Sequence, residues 1–460
     1  MFASNEFKIP SNWVYRGEGN CNVVISLPSE RKILRIRKIK KTTSLFGWIL
    51  NWITDILYWY CGSGLDDELR DLTFYKKIIR ALIGSNFVCD AEQVFLSRKQ
   101  VKILEEELAH QRPNYRKTKS LQYGRAALFD DYAFLPDEFY PFLLSNNTYS
   151  VEIKPKQGWV PFSERHFPKC AFCMNQYVKH NKGQIQSLSS YCPSDLFSGE
   201  PTKMIRAVQA LVTNPQNNLK IFKNGQLQYS EDCEVGLFAS FLTDIFRNNV
   251  ETFENLLLEF CHFVRTCLLT NFESIERTNR CNMKLFCEWN NIIQESSAQT
   301  KLPKGCVLER ILSVQMLDVE GNQYYYKLLG NKKLGEYDYV RELLKEVSKR
   351  PGTCLKCIIM MLGNVDERQM KENNLVLVPY LMSAIAKDCS LMITFKRIME
   401  TTSDNFGMKN IVSTKYGDFI VNVGVFDLYP KPVSTILKHK KKIKRMLDAT
   451  AKCEQKTVVT

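Results

Sequence analysis

The sequence lacks several features that would place it in large classes of protein. It contains no internal repeat and no low-complexity tract, which excludes a repeat array. It has no G-x-x-x-x-G-K-[ST] motif, which excludes a phosphate-binding loop of the Walker type. Its start, MFASNEFKIP, lacks the basic residues and following apolar run of a secretory signal. We therefore expect an intracellular protein of the cytoplasm, the nucleus or both.

No segment is long enough to predict a membrane span. The nearest is FGWILNWITDILYWYC, residues 46–61, which also contains Asn51, Thr54 and Asp55. It is shorter than the roughly twenty apolar residues that cross a bilayer. We predict an amphipathic helix that covers a lobe, and no transmembrane segment. Contact of its tryptophans with a membrane surface is the alternative.

The composition indicates a globular protein with an anionic partner. Hydrophobic residues make up 45% of the sequence and aromatic residues 12%, as in globular proteins. The length of 460 residues is too great for a single hydrophobic core, so two or more domains are expected. The formal net charge is +14, which favours nucleic acid, an acidic membrane surface or a phosphorylated small molecule as a partner. Sixteen irregularly spaced cysteines predict reduced thiols rather than a disulfide framework.

The order of predicted elements indicates an α+β protein. An N-terminal part has strands at 20–27 and 32–39 and helices at 65–84 and 97–111, and it ends in the connector YAFLPDEF. The second part begins with SVEIKPK. Its predicted helices cover 199–214, 235–270, 336–350, 375–387 and 437–447, and its predicted strands cover a hairpin with Asn-Gly at its turn within 215–230, then 389–398 and 417–432.

The stretch SVEIKPKQGW, residues 150–159, places Glu152, Lys154 and Lys156 at every second position. In an extended strand these three side chains would share one face. Pro155 lacks a backbone donor, which favours an edge strand or a strand end. One interpretation is a solvated edge strand whose charges prevent aggregation. The other is a row of cations directed at a polyanion.

Two aspartates next to apolar strands and one glycine turn suggest phosphate chemistry. Asp388 precedes the strand CSLMI and Asp427 ends the strand VGVF. A phosphotransferase needs one acid to deprotonate a hydroxyl and another to hold magnesium; capping of a turn is the alternative for each. The turn GEGN, Gly17 to Asn20, could let the backbone approach a phosphate, with Arg35 on the following strand.

Two C-x-x-C pairs could bind zinc or be buried thiols. The first, Cys170 and Cys173, has His166, His180 and Cys192 nearby in sequence. The second comprises Cys354 and Cys357, and no histidine lies near it, so buried thiols are favoured there.

Eight motifs resemble, in order, those of inositol-pentakisphosphate 2-kinases: WVYRGEGN, VEIKPK, CAFCMNQ, YCPSDLFSG, PQNNLKIFKNG, VQMLDVEG, AKDCSLMI and FDLYPKP. The resemblance runs from about residue 12 to 445. It implies a two-lobed kinase-like fold with an N-lobe at 1–138 and a C-lobe at 139–460 that is enlarged by an inositide-binding insert at about 150–320. It also implies transfer of the ATP γ-phosphate to the 2-hydroxyl of inositol 1,3,4,5,6-pentakisphosphate, giving the hexakisphosphate.

The resemblance assigns a role to each matched residue. Asp388 would be the base and Asp427 the magnesium ligand, and a hinge would lie near Leu135 to Asp137. The nucleotide-binding set would be Gly17, Glu18, Gly19, Asn20, Asn22, Arg35 and Asp137, and the substrate-phosphate set Arg116, Lys154, Lys156, Lys179, Asn217, Asn218, Lys220 and Lys431.

The sequence departs from the family pattern at several positions. Tyr429 stands where a second aspartate is common, Lys220 replaces the arginine of plant members, and Asn175 replaces a usual histidine. The late zinc site of plant members has no equivalent, so a structural zinc would be held by Cys170 and Cys173, with His166 and Cys192 as partners. We expect a monomer with no obligate nucleic-acid partner. A non-catalytic paralogue that binds inositol phosphates or nucleic acid is the alternative function.

Overall fold

The computed structural model describes residues 6–40, 67–142, 147–248, 250–272, 301–330, 338–363, 374–398 and 410–458. The chain divides into two compact units: Met1–Arg80 with Cys89–Asp131, and Ala81–Val88 with Tyr132–Thr460. The amphipathic helix predicted for residues 46–61 lies outside the described residues. Among the helices within the described ranges, none is both long and apolar enough to cross a membrane.

The first unit is built on a six-stranded antiparallel sheet. Alternate residues of its second and third strands, among them Val23, Ile25, Leu34 and Ile36, are fully buried and pack together, as expected for strands with one face against a core. The strand order is β1-β2-β3-β6-β4, and β5 pairs with β3. The strands are β1 Val14–Glu18, β2 Asn22–Leu27, β3 Lys32–Lys40, β4 Ala91–Leu96, β5 Lys119–Leu121 and β6 Gly124–Asp130.

Helices flank this sheet where they were predicted. Ser97 caps one of them, because its hydroxyl accepts from the Gln100 N–H while the Gln100 side chain accepts from the Ser97 N–H. The helical segments over this part of the chain are α1 Asp67–Phe74, a π-helical turn Tyr75–Ile79, α2 Arg80–Ile83, α3 Arg98–Leu108 and a 3-10 turn Asn114–Arg116; all of α2 except Arg80 belongs to the second unit.

The second unit contains another six-stranded antiparallel sheet, in the order β11-β12-β10-β7-β8-β9. Its central strands bury both faces, because seven of the eight residues of β10 are buried. The Asn-Gly hairpin is confirmed between β8 and β9. The strands are β7 Tyr149–Ile153, β8 Leu219–Lys223, β9 Gln226–Tyr229, β10 Ser390–Arg397, β11 Ile411–Thr414 and β12 Gly417–Phe426.

The edge-strand interpretation of residues 150–159 is wrong. β7 lies inside the sheet, between β10 and β8. The alternative, a strand end, is confirmed, because β7 stops at Ile153 and Pro155 therefore removes no ladder bond. Lys154 and Lys156 both follow the strand, and Lys156 has a φ of 63°. The two lysines are therefore not placed by the alternation of a strand.

Every helix predicted for the second unit is present, with one difference, but the structure also contains five helices outside the predicted ranges: Ala171–Asn181, Pro193–Leu196, Val307–Gln315, Asn322–Leu329 and Leu355–Gly363. The segment predicted as a single helix at 235–270 is two helices, because Arg247 adopts a left-handed conformation with φ 50° and ends the first. The helices are α4 Ala171–Asn181, α5 Pro193–Leu196, α6 Pro201–Thr213, α7 Val235–Phe246, α8 Phe253–Leu269, α9 Val307–Gln315, α10 Asn322–Leu329, α11 Tyr339–Ser348, α12 Leu355–Gly363, α13 Val378–Ala386 and α14 Thr435–Val458; 3-10 turns lie at Asp137–Phe142, Phe162–Glu164, Gln216–Asn218 and Asn374–Leu377.

Two antiparallel sheets with helices before, between and after their strands agree with the predicted α+β class. The kinase-like arrangement of lobes and the boundary at residue 138 stay predictions.

Candidate active site

One edge of the second sheet gathers most of the predicted substrate and catalytic residues. Because neighbouring strands are antiparallel, the end of one strand lies beside the start of the next. Ile153 at the end of β7 pairs with Leu391 of β10 and with Leu219 of β8, and Ser390 pairs with Phe426 at the end of β12. The residues at or just beyond these strand ends define what we call the site edge: Lys154, Lys156, Asn217, Asn218, Lys220, Asp388 and Asp427.

Buried side chains hold the segment that follows β7. The hydroxyl of Tyr191 donates to the carbonyl of Pro155 at 2.7 Å, and the amide of Gln315 donates to the carbonyl of Lys156 at 2.9 Å. Tyr191 and Gln315 are both fully buried. The backbone positions of the two lysines are therefore fixed by hydrogen bonds from buried side chains and not by the alternation of a strand.

Lys156 interacts electrostatically with Asp388, Lys154 and Lys179, all of which the sequence predicted as site residues. Burial is the largest influence and lowers the pKa of Lys156 to about 8. The charge of Asp388 raises that pKa, and the charges of Lys154, Lys442 and Lys179 lower it further. A cation whose ammonium form is disfavoured by its surroundings gains from an incoming anion. Lys156 is thus suited to receive a phosphate.

The pKa of Lys156 predicts a pH dependence. Above its pKa of about 8 the side chain loses its charge, and a charge-assisted bond to phosphate is lost with it. We expect the KM for an inositol polyphosphate to rise by about tenfold from roughly pH 7 to roughly pH 9.5. The variant Lys156→Arg keeps its charge throughout this range, so its KM should stay nearly constant. Parallel KM profiles for the two proteins would contradict this role.

Asp388 sits in the turn between α13 and β10 and is paired with Lys431. Lys431 Nζ lies 2.5 Å from Asp388 Oδ2, and 62% of the Asp388 side chain is exposed. Burial raises the pKa of Asp388, but the charge and hydrogen bond of Lys431 lower it, and so do the charges of Lys156 and Lys154. Together the three lysines hold the pKa of Asp388 below its usual range. Asp388 is therefore an ionised, accessible carboxylate.

Asp427 occupies a conformation that is unfavourable for a residue with a side chain. Its φ is 64°, in the left-handed region that few non-glycine residues adopt, although asparagine, aspartate and histidine are the most frequent among them. The hydroxyl of Ser390 donates to its Oδ2 at 3.4 Å. Such strain persists where the surrounding structure enforces it, and it is concentrated at functional sites. This backbone conformation places the Asp427 carboxylate at the site edge, immediately after the end of β12.

Glu152 adds a second carboxylate next to Asp427. It pairs with Lys220 across the β7–β8 register. Burial raises the pKa of Glu152, the charges of Lys154 and Lys220 lower it, and the charge of Asp427 raises it. Beside it, Lys154 Nζ donates to Asn217 Oδ1 at 3.4 Å. Glu152 therefore interacts electrostatically with three residues of the site edge, namely Lys154, Lys220 and Asp427.

Two helices bring further lysines to this edge. Lys179 lies in the last turn of α4, and α4 packs against α14, which carries Lys442. Lys442 keeps contact with solvent, yet burial lowers its pKa; the charge of Asp388 raises it and that of Lys179 lowers it. A solvated face was the simplest interpretation of the basic segment at 437–447. Lys442 is exposed, as that interpretation predicts, but its charge also interacts with Asp388 and Lys179.

In the first unit, the glycine turn is the tip of the β1–β2 hairpin, and buried ion pairs of Glu18 fix its position. Gly17 has a φ of 143°. Glu18 is almost fully buried and forms an ion pair with Lys38; Arg112 Nε and Nη2 lie 3.0 and 3.1 Å from its two carboxylate oxygens. These contacts hold the pKa of Glu18 down against the opposing effect of burial. Glu18 thus anchors the turn through buried ion pairs.

The other predicted residues of this unit are joined to the same turn. Arg116 Nη1 donates to the Asn20 side chain at 2.6 Å. With its amide oxygen turned towards the guanidinium, Asn22 accepts from Arg35 Nε and Nη2, both at 3.0 Å. The turn and the arginine on β3 are therefore connected through Asn22. Asp137 lies in the second unit, exposed at the start of a 3-10 turn.

Three thiols form a group of potential metal ligands among the described residues. The sulfur atoms of Cys170, Cys173 and Cys192 all lie within 4.8 Å of one another. Hydrogen bonds from the other two thiols lower the pKa of Cys192, which favours its thiolate. Cys192 therefore joins the predicted pair. His166 does not belong to this group; its ring packs edge-to-face against that of Phe167.

Sequence reasoning assigned no site role to Lys38, Arg112, Glu152, Gln315 or Lys442. Glu152 had been noted, because it alternates with two lysines in the quoted stretch, but no function was assigned to it. The other four are joined to the predicted residues by contacts that no local spacing signals.

Comparison with known proteins identifies relatives along the whole chain. The family model for inositol-pentakisphosphate 2-kinase matches residues 15–445. The protein of that name from Danio rerio is 28% identical, and the alignment covers 93% of this chain and 90% of that protein. The one from Arabidopsis thaliana is 25% identical over 96% and 94%, and the one from Drosophila melanogaster is 26% identical over 57% and 55%.

Proposed function

The chain belongs to the inositol-pentakisphosphate 2-kinase family, and from that premise we propose that it transfers the γ-phosphate of ATP to the 2-hydroxyl of inositol 1,3,4,5,6-pentakisphosphate. The chain is a kinase of inositol phosphates; the substrate isomer, the position of transfer and the product, the hexakisphosphate, are the proposal. The observation that carries it is the group of lysines around Asp388 at the site edge.

The charge of the substrate explains why so many lysines are needed. Five phosphates carry about −7.5 to −10 in total near neutral pH, at roughly −1.5 to −2 each. Lys154, Lys156, Lys179 and Lys442 supply cations whose charges already act on one another. Their mutual repulsion in the free protein is relieved when an anion binds between them. The free energy of binding therefore comes from ligand charge, which favours a highly phosphorylated ring.

Asp388 is the proposed base for the hydroxyl that is phosphorylated. Its carboxylate accepts the hydroxyl proton as the new oxygen–phosphorus bond forms and the bond from the γ-phosphorus to ADP breaks. Lys431 Nζ forms an ion pair with this carboxylate at 2.5 Å. A bound phosphate competes for Lys431, because it offers more negative charge than one aspartate. Substrate binding would thus release Asp388 from its ion pair with Lys431, so that its carboxylate can accept the hydroxyl proton.

ATP and magnesium are assigned by the family and by the chemistry of the donors. The Gly17–Asn20 turn would cover the nucleotide phosphates, Arg35 and Asn22 would contact them, and Asp137 would lie at the adenine end. Magnesium supplies charge neutralisation to the transferred phosphoryl group when it is bound. Carboxylate oxygens are the ligands it prefers in proteins, and Asp427, with Glu152 as its neighbour, fits that preference.

The most direct test uses a panel of inositol phosphates. The purified protein is incubated with ATP, magnesium and each isomer, and the products are separated by anion-exchange chromatography. We expect the 1,3,4,5,6-pentakisphosphate to be converted to the hexakisphosphate fastest. Tight binding of the pentakisphosphate without any product would favour the non-catalytic paralogue. Faster conversion of another isomer would overturn the assigned substrate.

A structural zinc ion held by Cys170, Cys173 and Cys192 is the second part of the proposal. Thiolates at this separation are typical zinc ligands. We expect about one zinc per chain in protein purified without chelators, measured by plasma emission spectrometry. The variant Cys173→Ser should lose most of it, whereas Cys354→Ser should retain it. A metal-free wild-type protein, with thiols that react freely, would contradict the site.

The cytoplasm, the nucleus or both are the proposed location. The thirteen cysteines that the structure describes are all free thiols, as is usual in reducing compartments. Fractionation of cells that express the chain tests this placement.

A further inference from the structure

Gln315, the last residue of α9, is fully buried. Its Oε1 accepts from the backbone N–H groups of Gly158 at 2.8 Å and Trp159 at 3.2 Å. Its Nε2 donates to the carbonyls of Lys156 at 2.9 Å and Ala386 at 3.1 Å. A primary amide has two acceptor positions and two donors. All four are used on backbone groups, so this side chain acts as a fixed spacer between them.

The four hydrogen bonds join the two segments that carry the proposed chemistry. One segment contains Lys156, which faces the substrate phosphates. The other ends in Ala386, two residues before Asp388. These segments are far apart along the chain, and the amide of Gln315 bridges them directly. The length of one side chain therefore sets the separation between the Lys156 backbone and the turn that carries Asp388.

A second buried residue strengthens the same link. Asp318, three residues after Gln315, lies 2.7 Å from Lys387 Nζ, and its side chain is 1% exposed. Its carbonyl accepts from Trp159 Nε1 at 2.7 Å. Lys387 immediately precedes Asp388. Gln315 and Asp318 thus each contact both the Lys156 segment and the Asp388 turn. Both residues do so through buried polar groups, and leaving such groups without a hydrogen-bond partner would cost free energy.

We propose that Gln315 is a positioning residue that fixes the spacing between Lys156 and Asp388. This proposal rests on the proposed function. Gln315 touches no reacting atom; it acts through the two residues it places. A lysine that holds a phosphate determines where the ring sits, and the base must then meet one hydroxyl within hydrogen-bond reach. An error of about 1 Å in such placement can cost roughly 10²-fold in rate.

The test replaces the spacer by a shorter amide. Gln315→Asn keeps the chemistry but shortens the reach, so it cannot serve both segments; Gln315→Leu removes the amide. For Gln315→Asn we expect about a tenfold higher KM for the pentakisphosphate and about a tenfold lower kcat. Ser383→Ala is the matched control, because Ser383 Oγ donates to the backbone carbonyl of Gln315 at 2.6 Å and its loss leaves the four side-chain bonds in place. It should lower the melting temperature without changing KM.

A double-mutant cycle with Lys156→Met separates positioning from general loosening. If Gln315 acts through Lys156, Gln315→Asn should raise KM by less than about threefold when Lys156 is already absent. Additive effects, or a wild-type KM and kcat in Gln315→Asn, would overturn the proposal. Unfolding of both Gln315 variants at 25 °C, with Ser383→Ala still folded, would count against it and assign a purely structural role. If the wild-type protein binds the pentakisphosphate without turnover, the same cycle is measured in Kd, so failure of the kinase proposal is distinguished.

Discussion

Asp388→Asn is expected to lower kcat for the phosphorylation of inositol pentakisphosphate by about 10³-fold, within the range of roughly 10² to 10⁴ for loss of a positioned base. The KM should change by less than about threefold, because asparagine keeps the size of the side chain and substrate binding is assigned to the lysines in the proposal. Initial rates at saturating ATP and magnesium measure both constants.

The size of this effect depends on the charge state of Asp388. Lys431, Lys156 and Lys154 keep the pKa of this carboxyl low, so it is ionised over the whole neutral range. A carboxylate with a depressed pKa can accept a proton only down to that pKa, and activity should fall as the pH decreases through it. We therefore expect protonation of Asp388 to contribute no acid limb to kcat/KM above the usual range for aspartate; a fall near roughly pH 6 would report the second ionisation of the substrate phosphates. A weak base suffices here, because the transition state of phosphoryl transfer is loose and the hydroxyl proton leaves late.

Asp418→Asn is the matched control. Asp418 lies at the opposite end of β12 from the site edge, paired with Ser413 of β11, so its loss should leave kcat within about twofold and report only on folding. Full turnover by Asp388→Asn would remove Asp388 from the base role. A large rise in KM with an unchanged kcat would instead assign it to substrate binding.

Predictions from the sequence succeeded where a contact is local. The Asn-Gly hairpin and the apolar strands depend on neighbours a few residues away, and each was found where the pattern placed it. Lys154 and Lys156 were assigned to one cluster for the wrong reason. The strand stops before them, and buried hydrogen-bonding partners place their backbone.

Partners distant in sequence account for what could not be predicted. Gln315 contacts the carbonyl of Lys156 across 159 positions and that of Ala386 across 71, and no periodicity encodes such pairs. Glu18 shows the same limit in a glycine turn. Its sequence context indicates an exposed loop, but Arg112, 94 positions away, buries its carboxylate in an ion pair. Antiparallel pairing is what brings the ends of β7, β10 and β12 to one edge, and the strands alone do not specify their order.

Asp427→Asn should lower kcat by about 10²- to 10³-fold, because losing a charged ligand removes several kcal/mol of stabilisation of the transferred phosphoryl group. In addition, the magnesium concentration that gives half-maximal rate should rise by about tenfold. Asp388→Asn should leave that concentration unchanged, since a base does not bind the metal. The measurement is a magnesium titration of the initial rate for wild type, Asp427→Asn, Asp388→Asn and Asp418→Asn.

The geometry of Asp427 makes this prediction stricter than for an ordinary surface carboxylate. Its φ of 64° is a conformation that asparagine tolerates better than most residues, so Asp427→Asn should not destabilise the fold, and a lost rate can be assigned to the lost charge. Thermal unfolding of the variant checks this. Glu152 is the nearby carboxylate that could partly replace it, and the double variant with Glu152→Gln should then lose the remaining magnesium response. An Asp427→Asn protein with the wild-type magnesium dependence would show that the metal is held elsewhere.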